Sequence, residues 1–100
     1  MASSRKTVLV VDADDATRNH FAKALRGDYR VLRAGSAESA LGLIGKDGVD
    51  VVLANRALPG VSGSDFLQIV RENYPMAEFV MLADEPDVDA AVAAVKLGAY

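Results

Sequence analysis

The chain has 100 residues, of which 51% are hydrophobic, and a formal net charge of −3 from 11 basic and 14 acidic residues. This size predicts a single globular domain, and the charge excludes the broad basic surface that binds nucleic acid or an anionic membrane. The absence of cysteine excludes disulfides and thiolate metal sites. No apolar run has the length of a signal-peptide core or a membrane span, so we predict a soluble, cytoplasmic protein.

The first third of the chain predicts a strand, a helix and a second strand. Thr7 to Val11 is a β-branched apolar run that ends in an acidic cluster. Within this cluster, either Asp14 or Asp15 can cap a helix whose buried stripe includes Phe21. Tyr29 to Arg33 predicts the second strand.

The middle of the chain predicts a second helix and a buried strand. Ser36 is a natural N-cap, and apolar residues recur at helical spacing as far as Gly48. Val51 to Ala54 is an apolar run that stops at Asn55, shortly before the turn signal Pro59-Gly60. Asn55 would therefore stand at the carboxyl edge of a sheet, where open α/β folds bind their ligands.

The last third repeats the alternation. Ser62 can cap a third helix, Glu78 to Leu82 predicts a fourth strand, and Pro86 suits the first position of a fourth helix. An apolar stripe that begins at Val88 predicts that this helix continues to Gly98. Strands that alternate with helices of ten to fifteen residues predict a doubly wound α/β domain with a parallel sheet.

Three segments of the chain, VLVVDADDATR, VDVVLANRALPGVSG and FVMLADEPDVDAAVAAVKLGAY, resemble the signature blocks of the receiver domain of two-component response regulators. The resemblance extends from Thr7 to Tyr100, and the KLGAY tail is most similar to receivers that precede ATPase-type transcriptional activators. It implies a flavodoxin-like sheet with strand order 2-1-3-4. It also implies a fifth strand and helix beyond this sequence, so we expect one receiver-like domain over residues 1–100 that is C-terminally incomplete.

The family resemblance implies a fixed chemistry. Two adjacent acids after the first strand and an aspartate after the third bind Mg²⁺, which takes oxygen ligands. The third carboxylate accepts a phosphoryl group from a histidine kinase. A Thr or Ser after the fourth strand and a Lys after the fifth then hold that phosphoryl group and shift the surface of the fourth helix.

This sequence departs from the family pattern at most of these positions. Asp12 matches the first acid, but the second falls on Ala13, the phosphoacceptor on Asn55 and the switch hydroxyl on Ala83. A carboxamide oxygen is a poor nucleophile, so Asn55 cannot form the usual aspartyl phosphate. We predict a pseudo-receiver with no catalytic residue and no required cofactor. Asp12 and Asp14 would form a residual acidic pocket, with Mg²⁺ held weakly at Asp12 at most.

Three functions are compatible with these residues. The favoured one is a non-enzymatic signalling module that acts independently of phosphorylation, binds a histidine kinase, an attached output domain or a second copy, and does not bind nucleic acid. The second is a conventional phosphoacceptor, captured as an Asp-to-Asn variant at Asn55 or using Asp12 or Asp14 instead. The third is a small-molecule-binding α/β module, which is disfavoured because no glycine-rich loop follows the first strand.

Two surfaces are predicted to form contacts. Without a fifth strand, Phe79 to Leu82 would be an open apolar edge, and the first helix would lack a neighbour. Beside its core stripe, the fourth helix carries a second apolar stripe of Ala90, Ala93, Ala94 and Leu97, although alanine is also simply a good helix former. The predicted interface residues are Val88, Ala90, Ala94 and Leu97. We therefore expect a homo-oligomer through one of these surfaces, or a longer parent protein, rather than a stable monomer.

Overall fold

The computed structural model describes residues 5–98, so the last two residues of the KLGAY tail lie outside the described part. Its four strands form one parallel sheet in the order β2-β1-β3-β4, which confirms the predicted fold class and strand order. The elements are β1 (Thr7–Val11), α1 (Asp15–Leu25), β2 (Arg30–Ala34), α2 (Ala37–Asp47), β3 (Val51–Asn55), α3 (Gly63–Asn73), β4 (Glu78–Leu82) and α4 (Val88–Leu97). None of the helices within residues 5–98 could cross a membrane.

The helix ends follow local side-chain signals. The N-caps Ser36 and Ser62 accept hydrogen bonds from backbone N–H groups three residues later, as predicted. Gly48 and Gly98 end α2 and α4 in the left-handed conformation, with φ of +66° and +72°. The prediction for Pro86 is wrong, because Asp87 is the N-cap of α4 and Pro86 therefore precedes the helix.

Two core layers cover the two faces of the sheet. Strands β1 and β3 are buried along their whole length, as central strands with helices on both sides should be. One layer packs α2 and α3 against the sheet, and its helical members are Ala37, Ala40, Ile44, Phe66 and Val70. The other layer packs α1 and α4 against the opposite face, and its helical members are Phe21, Leu25, Val88, Val92 and Val95.

The position of α4 corrects two expectations. The first helix does not lack a neighbour, because α4 packs beside it on the same face of the sheet. Val88 is not an interface residue, since it is only 8% exposed and belongs to this core layer. Of the other three predicted interface residues, Ala90 is exposed, Ala94 is half-buried, and Leu97 is 83% exposed.

Strand β4 forms the edge of the sheet that the sequence predicted to be open. Within residues 5–98 it pairs only with β3, and Phe79, Val80 and Met81 are half-buried. Its outer backbone groups therefore face away from the sheet, as on any edge strand.

Candidate functional site

Asp12 and Asn55 meet at the carboxyl edge of the sheet. Asp12 directly follows β1 and Asn55 ends β3, and these two strands are neighbours in the sheet. Both residues are only 4% exposed. The Asn55 amide nitrogen donates a hydrogen bond to a carboxylate oxygen of Asp12 at 3.0 Å. The structure therefore brings together two of the predicted site positions.

The Asn55 amide also ties the loop after β4 to this edge. Its nitrogen lies 3.2 Å from the carbonyl oxygen of Ala83 and 3.0 Å from that of Asp84. Its own oxygen accepts a hydrogen bond from the Ala57 N–H at 2.8 Å. The two amide hydrogens thus serve three acceptors, so at least one hydrogen bond is shared. One side chain connects β1, the β3–α3 loop and the β4–α4 loop.

The buried Asp12 carboxylate is satisfied by dipoles rather than by a neighbouring cation. One oxygen accepts from the Asn55 amide, and the other accepts from the Asp14 backbone N–H at 2.9 Å. The Arg18 guanidinium binds the backbone carbonyl of Asp12 and forms its ion pair with the exposed Asp15. No buried side-chain nitrogen or oxygen in residues 5–98 lacks a hydrogen-bond partner, as is usual for buried polar groups in folded proteins.

The residues at this edge do not fit a magnesium site. A cation bound to the Asp12 oxygen that faces Asn55 would meet the Asn55 amide hydrogens, which repel it. No group of three or more His, Cys, Asp or Glu side chains in the described range is arranged to hold a metal ion. The Asn55 amide nitrogen lies between the Asp12 carboxylate and the two carbonyl oxygens of the β4–α4 loop. It presents hydrogens there, whereas a carboxylate would present oxygens.

Asp14 does not contribute its carboxylate to this pocket, which corrects the predicted acidic pair. Its side chain is the N-cap of α1 and accepts from the Thr17 hydroxyl at 2.6 Å and from the Thr17 N–H at 2.9 Å. These hydrogen bonds, first the hydroxyl and then the backbone N–H, lower the pKa of Asp14 below its usual 3.8. The pocket therefore uses only the backbone of Asp14.

Because Asp14 is a titrating cap, part of the free energy of unfolding should depend on pH in the acid range. Since the folded-state pKa of Asp14 is lower than in the unfolded chain, its stabilisation is full above about pH 3.8 and is lost as the pH falls through the folded-state pKa. The Asp14→Asn variant keeps a capping oxygen without this titration. We expect the difference in urea midpoint between parent and variant to shrink below that pH. A difference that stays constant into stronger acid would contradict the assignment.

Two exposed side chains join the loops above the pocket. The Arg56 guanidinium pairs with the Asp84 carboxylate at 3.0 Å, and both side chains are more than half exposed. Such a pair contributes about 0–1 kcal/mol. Ala83 lies exposed beside it and contributes only its backbone carbonyl to the pocket. Asn55, rather than this ion pair, is therefore the stronger link between the loops.

Gly63 is required for the close approach of α3 to the site. A Cβ atom there would lie 2.6 Å from the Arg56 Cα and 3.0 Å from the Asn55 carbonyl oxygen. Because both neighbours are backbone atoms, they cannot move aside without distorting the end of β3. The start of α3 and the position of Asn55 are thus coupled.

We expect Gly63→Ala to lower the free energy of unfolding by about 1–3 kcal/mol, the usual cost of overpacking. Gly42→Ala is the matched control, because nothing lies within 4 Å of its Cβ position in α2. That control should stabilise by about 0.5–1 kcal/mol, since alanine is the better helix former. Urea denaturation of both variants tests the pair, and equal effects at the two glycines would contradict the close approach.

A separate surface cleft lies along α1, away from Asn55. Its volume is about 460 Å³, and it has a basic lining. The lining residues are Ala16, Asn19, His20, Ala22, Lys23, Arg26 and Arg33. This cleft lies along a helix rather than at the carboxyl edge of the sheet, where open α/β folds bind their ligands.

Sequence reasoning missed the backbone partners of Asn55. The carbonyl of Asp84 and the N–H of Ala57 carry no sequence signal, because any residue supplies them. Arg18 was also missed, although its spacing of three residues from Asp15 on a helix allows the ion pair that forms.

A four-stranded parallel sheet with a polar site beyond β1 and β3 defines the doubly wound α/β class, and comparison with known proteins identifies the family. The family model described as the response regulator receiver domain matches residues 8–100. The chain therefore belongs to the receiver-domain family of response regulators.

Among similar proteins, the hydrogenase transcriptional regulatory protein HoxA of Cupriavidus necator is 32% identical over 95 residues, which cover 95% of this chain and 20% of HoxA. The transcriptional regulator NtrC of Proteus hauseri is 31% identical over 94 residues, which cover 93% of this chain and 20% of that protein. The chain thus spans about a fifth of the length of these relatives.

Solved structures show the same fold. A putative response regulator from Chloroflexus aurantiacus has a TM-score of 0.79 at 27% identity, with 94% of this chain and 97% of that one covered. The signal receiver domain of an HD domain-containing protein from Pseudomonas fluorescens has a TM-score of 0.78 at 26% identity, with 94% and 76% covered.

Proposed function

We propose that this receiver domain acts without phosphorylation, as a protein-interaction or dimerisation module that regulates an attached output domain such as a transcriptional activator. Membership of the receiver family supports a role in two-component signalling, and the regulators HoxA and NtrC among its relatives support a transcriptional output. The cytoplasmic location predicted from the sequence is part of this proposal.

The hydrogen bonds of Asn55 are the observation that carries the proposal. A phosphoacceptor needs a free carboxylate oxygen, whereas this amide oxygen is held by Ala57 and the amide nitrogen by Asp12 and two carbonyls. The loop that leads into α4 is thereby fixed by the protein itself. A phosphoryl group is not needed to draw that loop toward the sheet.

The proposed partners are proteins: a histidine kinase, the output domain or a second copy of this chain. Two surfaces support this. The β4 edge presents half-buried apolar residues, and the outer side of α4 presents Ala90, Ala94 and the 83% exposed Leu97. No nucleic-acid contact is proposed, since the domain carries net negative charge.

Incubation with Mg²⁺ and either acetyl phosphate or beryllofluoride tests the proposal. We expect no change in intact mass and no amide NMR shifts at Asn55 and Ala83. A conventional receiver with Asp at the aligned position, treated in parallel, shows that the reagents are active.

An acid-stable, base-labile adduct of phosphoryl mass would overturn the proposal. Mapping it to Asp12 or Asp14 would identify a replacement acceptor, and phosphorylation only of the Asn55→Asp variant would support the view that this chain is an altered conventional receiver. Saturable binding of a small anion at the α1 cleft, with no partner protein, would favour the small-molecule alternative.

A further inference from the structure

The surface cleft along α1 collects positive charge that the described part of the chain does not neutralise. Lys23, Arg26 and Arg33 border this cleft, and none of the three forms an ion pair within residues 5–98. By contrast, the exposed Arg30 and Arg56 each pair with an aspartate. The whole chain has a net charge of −3, so a general excess of basic residues does not explain three unpaired cations around one cleft.

The shape of the cleft follows from the lengths of the side chains on α1. Ala16, Asn19 and Lys23 recur at helical spacing and therefore share one side of the helix. The short side chains of Ala16 and Ala22 leave space, and the long side chains of Lys23 and Arg26 extend beside it. The volume of about 460 Å³ lies within the range of about 300–1,000 Å³ that is usual for small-molecule sites.

Arg33 gives the cleft a second side. It belongs to β2, and by strand alternation it lies on the same face of the sheet as Val31, which packs in the α1 layer. Its guanidinium donates a hydrogen bond of 2.7 Å to the side-chain oxygen of Asn19, which orients the guanidinium without cancelling its charge. Cations near the end of a helix also stabilise that helix, which accounts for Lys23 and Arg26. It does not account for Arg33, because Arg33 comes from a strand.

We propose that this cleft binds a small molecule that carries a diphosphate group. Guanidinium groups bind phosphate oxygens through two parallel hydrogen bonds, and a lysine ammonium adds a compact positive charge. Positive groups on two sides of one cleft fit an anion with two linked phosphate centres better than a single carboxylate. Arg26, Arg33 and Lys23 hold the ligand, and Asn19 positions Arg33. The ligand is bound without transfer of a phosphoryl group.

This site goes beyond the proposed function and does not depend on it. The cleft is lined by α1, by Arg26 directly after it and by β2, so it is separate from the β4 edge and from the outer side of α4. A bound diphosphate joins α1 to the edge strand β2 and should therefore stabilise the folded domain. Binding of the diphosphate together with a protein partner on another surface leaves the proposed signalling role in place.

NMR titration of the isotope-labelled 100-residue chain with inorganic pyrophosphate tests the inference. Sodium chloride keeps the ionic strength constant, and divalent cations are left out. We expect saturable amide shifts from Asn19 to Arg26 and at Arg33, with none at Asn55. Inorganic phosphate should bind at least about tenfold more weakly, because it offers one phosphate centre instead of two. ADP, which contains the same diphosphate group, should shift the same amides, and a higher affinity than that of pyrophosphate would identify an organic phosphate as the ligand.

Single charge removals locate the binding site. Lys23→Gln and Arg33→Gln should each weaken pyrophosphate binding about tenfold, the effect of losing one charge-assisted hydrogen bond. Lys46→Gln and Arg71→Gln are the matched controls, because they remove the same charges at exposed positions of α2 and α3. Salt screens such distant charges, so the controls should change the affinity less than about twofold. The Lys23→Gln variant keeps the test valid if Arg33→Gln disturbs β2, since glutamine is nearly as good a helix former as lysine.

Four results would overturn the inference. The first is a set of shifts that does not saturate and that sodium chloride alone reproduces, since this is general screening. The second is an equal loss of affinity in the cleft variants and the controls, because the attraction would then come from overall charge. The third is a set of shifts centred on Asn55 and Ala83, which would place the anion at the sheet edge. The fourth is equal affinity for phosphate and pyrophosphate, which would contradict recognition of a diphosphate.

Discussion

Replacing Asn55 with Asp is expected to lower the free energy of unfolding by about 3–5 kcal/mol when no divalent cation is present, the range for an uncompensated buried charge. The new carboxylate would face the Asp12 carboxylate and the carbonyl oxygens of Ala83 and Asp84, where the parent places amide hydrogens. Three attractive contacts would become repulsive in a place that is only 4% exposed. The β4–α4 loop should therefore detach from the sheet edge.

Urea denaturation in EDTA and in Mg²⁺ measures this effect. The variant gathers oxygen atoms of the kind that Mg²⁺ prefers, so the cation should restore part of the lost stability. Asn55→Leu is the matched control, because it also removes the hydrogen bonds but creates no cation ligand. It should be destabilised in both conditions, since Asp12 loses a buried partner. If Asn55→Asp were as stable as the parent in EDTA, the amide would not be what satisfies Asp12.

The elements that were predicted well are those whose signals lie within a few residues. Ser36 and Ser62 cap their helices because a hydroxyl reaches an N–H three residues along, and that geometry needs no other part of the chain. The apolar run before Asn55 likewise identified a strand buried on both faces. Its end then placed Asn55 at the sheet edge, because consecutive parallel strands share one direction.

The face that α4 covers was not predictable in this way. The stripe of Val88, Val92 and Val95 shows that one side of the helix is buried, but it does not show which face of the sheet buries it. Val88 was predicted both to begin this stripe and to belong to an interface, and the structure keeps only the first role, since it packs in the layer that α4 shares with α1. The bonds of Asn55 to the β4–α4 loop also depend on such distant placement.

Two interactions hold the β4–α4 loop and the helix that follows it. Asn55 fixes the first part of this loop to the sheet edge, while the apolar side of α4 holds the helix itself in the α1 layer. Under the proposed function, this loop is used in the position that the Asn55 amide gives it, with no bound phosphoryl group.

A charge placed in the α1–α4 layer should show how much the docking of α4 contributes to the free energy of unfolding, apart from the hydrogen bonds of Asn55. Val92→Asp places a carboxylate at a position that is 8% exposed between α4 and the sheet, so we expect a loss of about 3–5 kcal/mol in the free energy of unfolding. Ala93→Asp, one residue along on the exposed side, should cost only a few tenths to about 0.7 kcal/mol through helix propensity. Circular dichroism during urea denaturation compares the two variants.

Because a loss of that size can unfold a domain of ordinary stability, a milder change keeps the comparison measurable. Val92→Ala removes two buried carbons and should cost about 1–2 kcal/mol, whereas Ala93→Ser should cost only about 0.5 kcal/mol through helix propensity. In NMR spectra of Val92→Ala, the shifts should spread to Phe21 and Leu25 of α1 while Phe66 of α3 stays unchanged. Shifts that spread to Phe66 instead would place α4 on the other face of the sheet, and equal effects at positions 92 and 93 would mean that α4 is not docked at all.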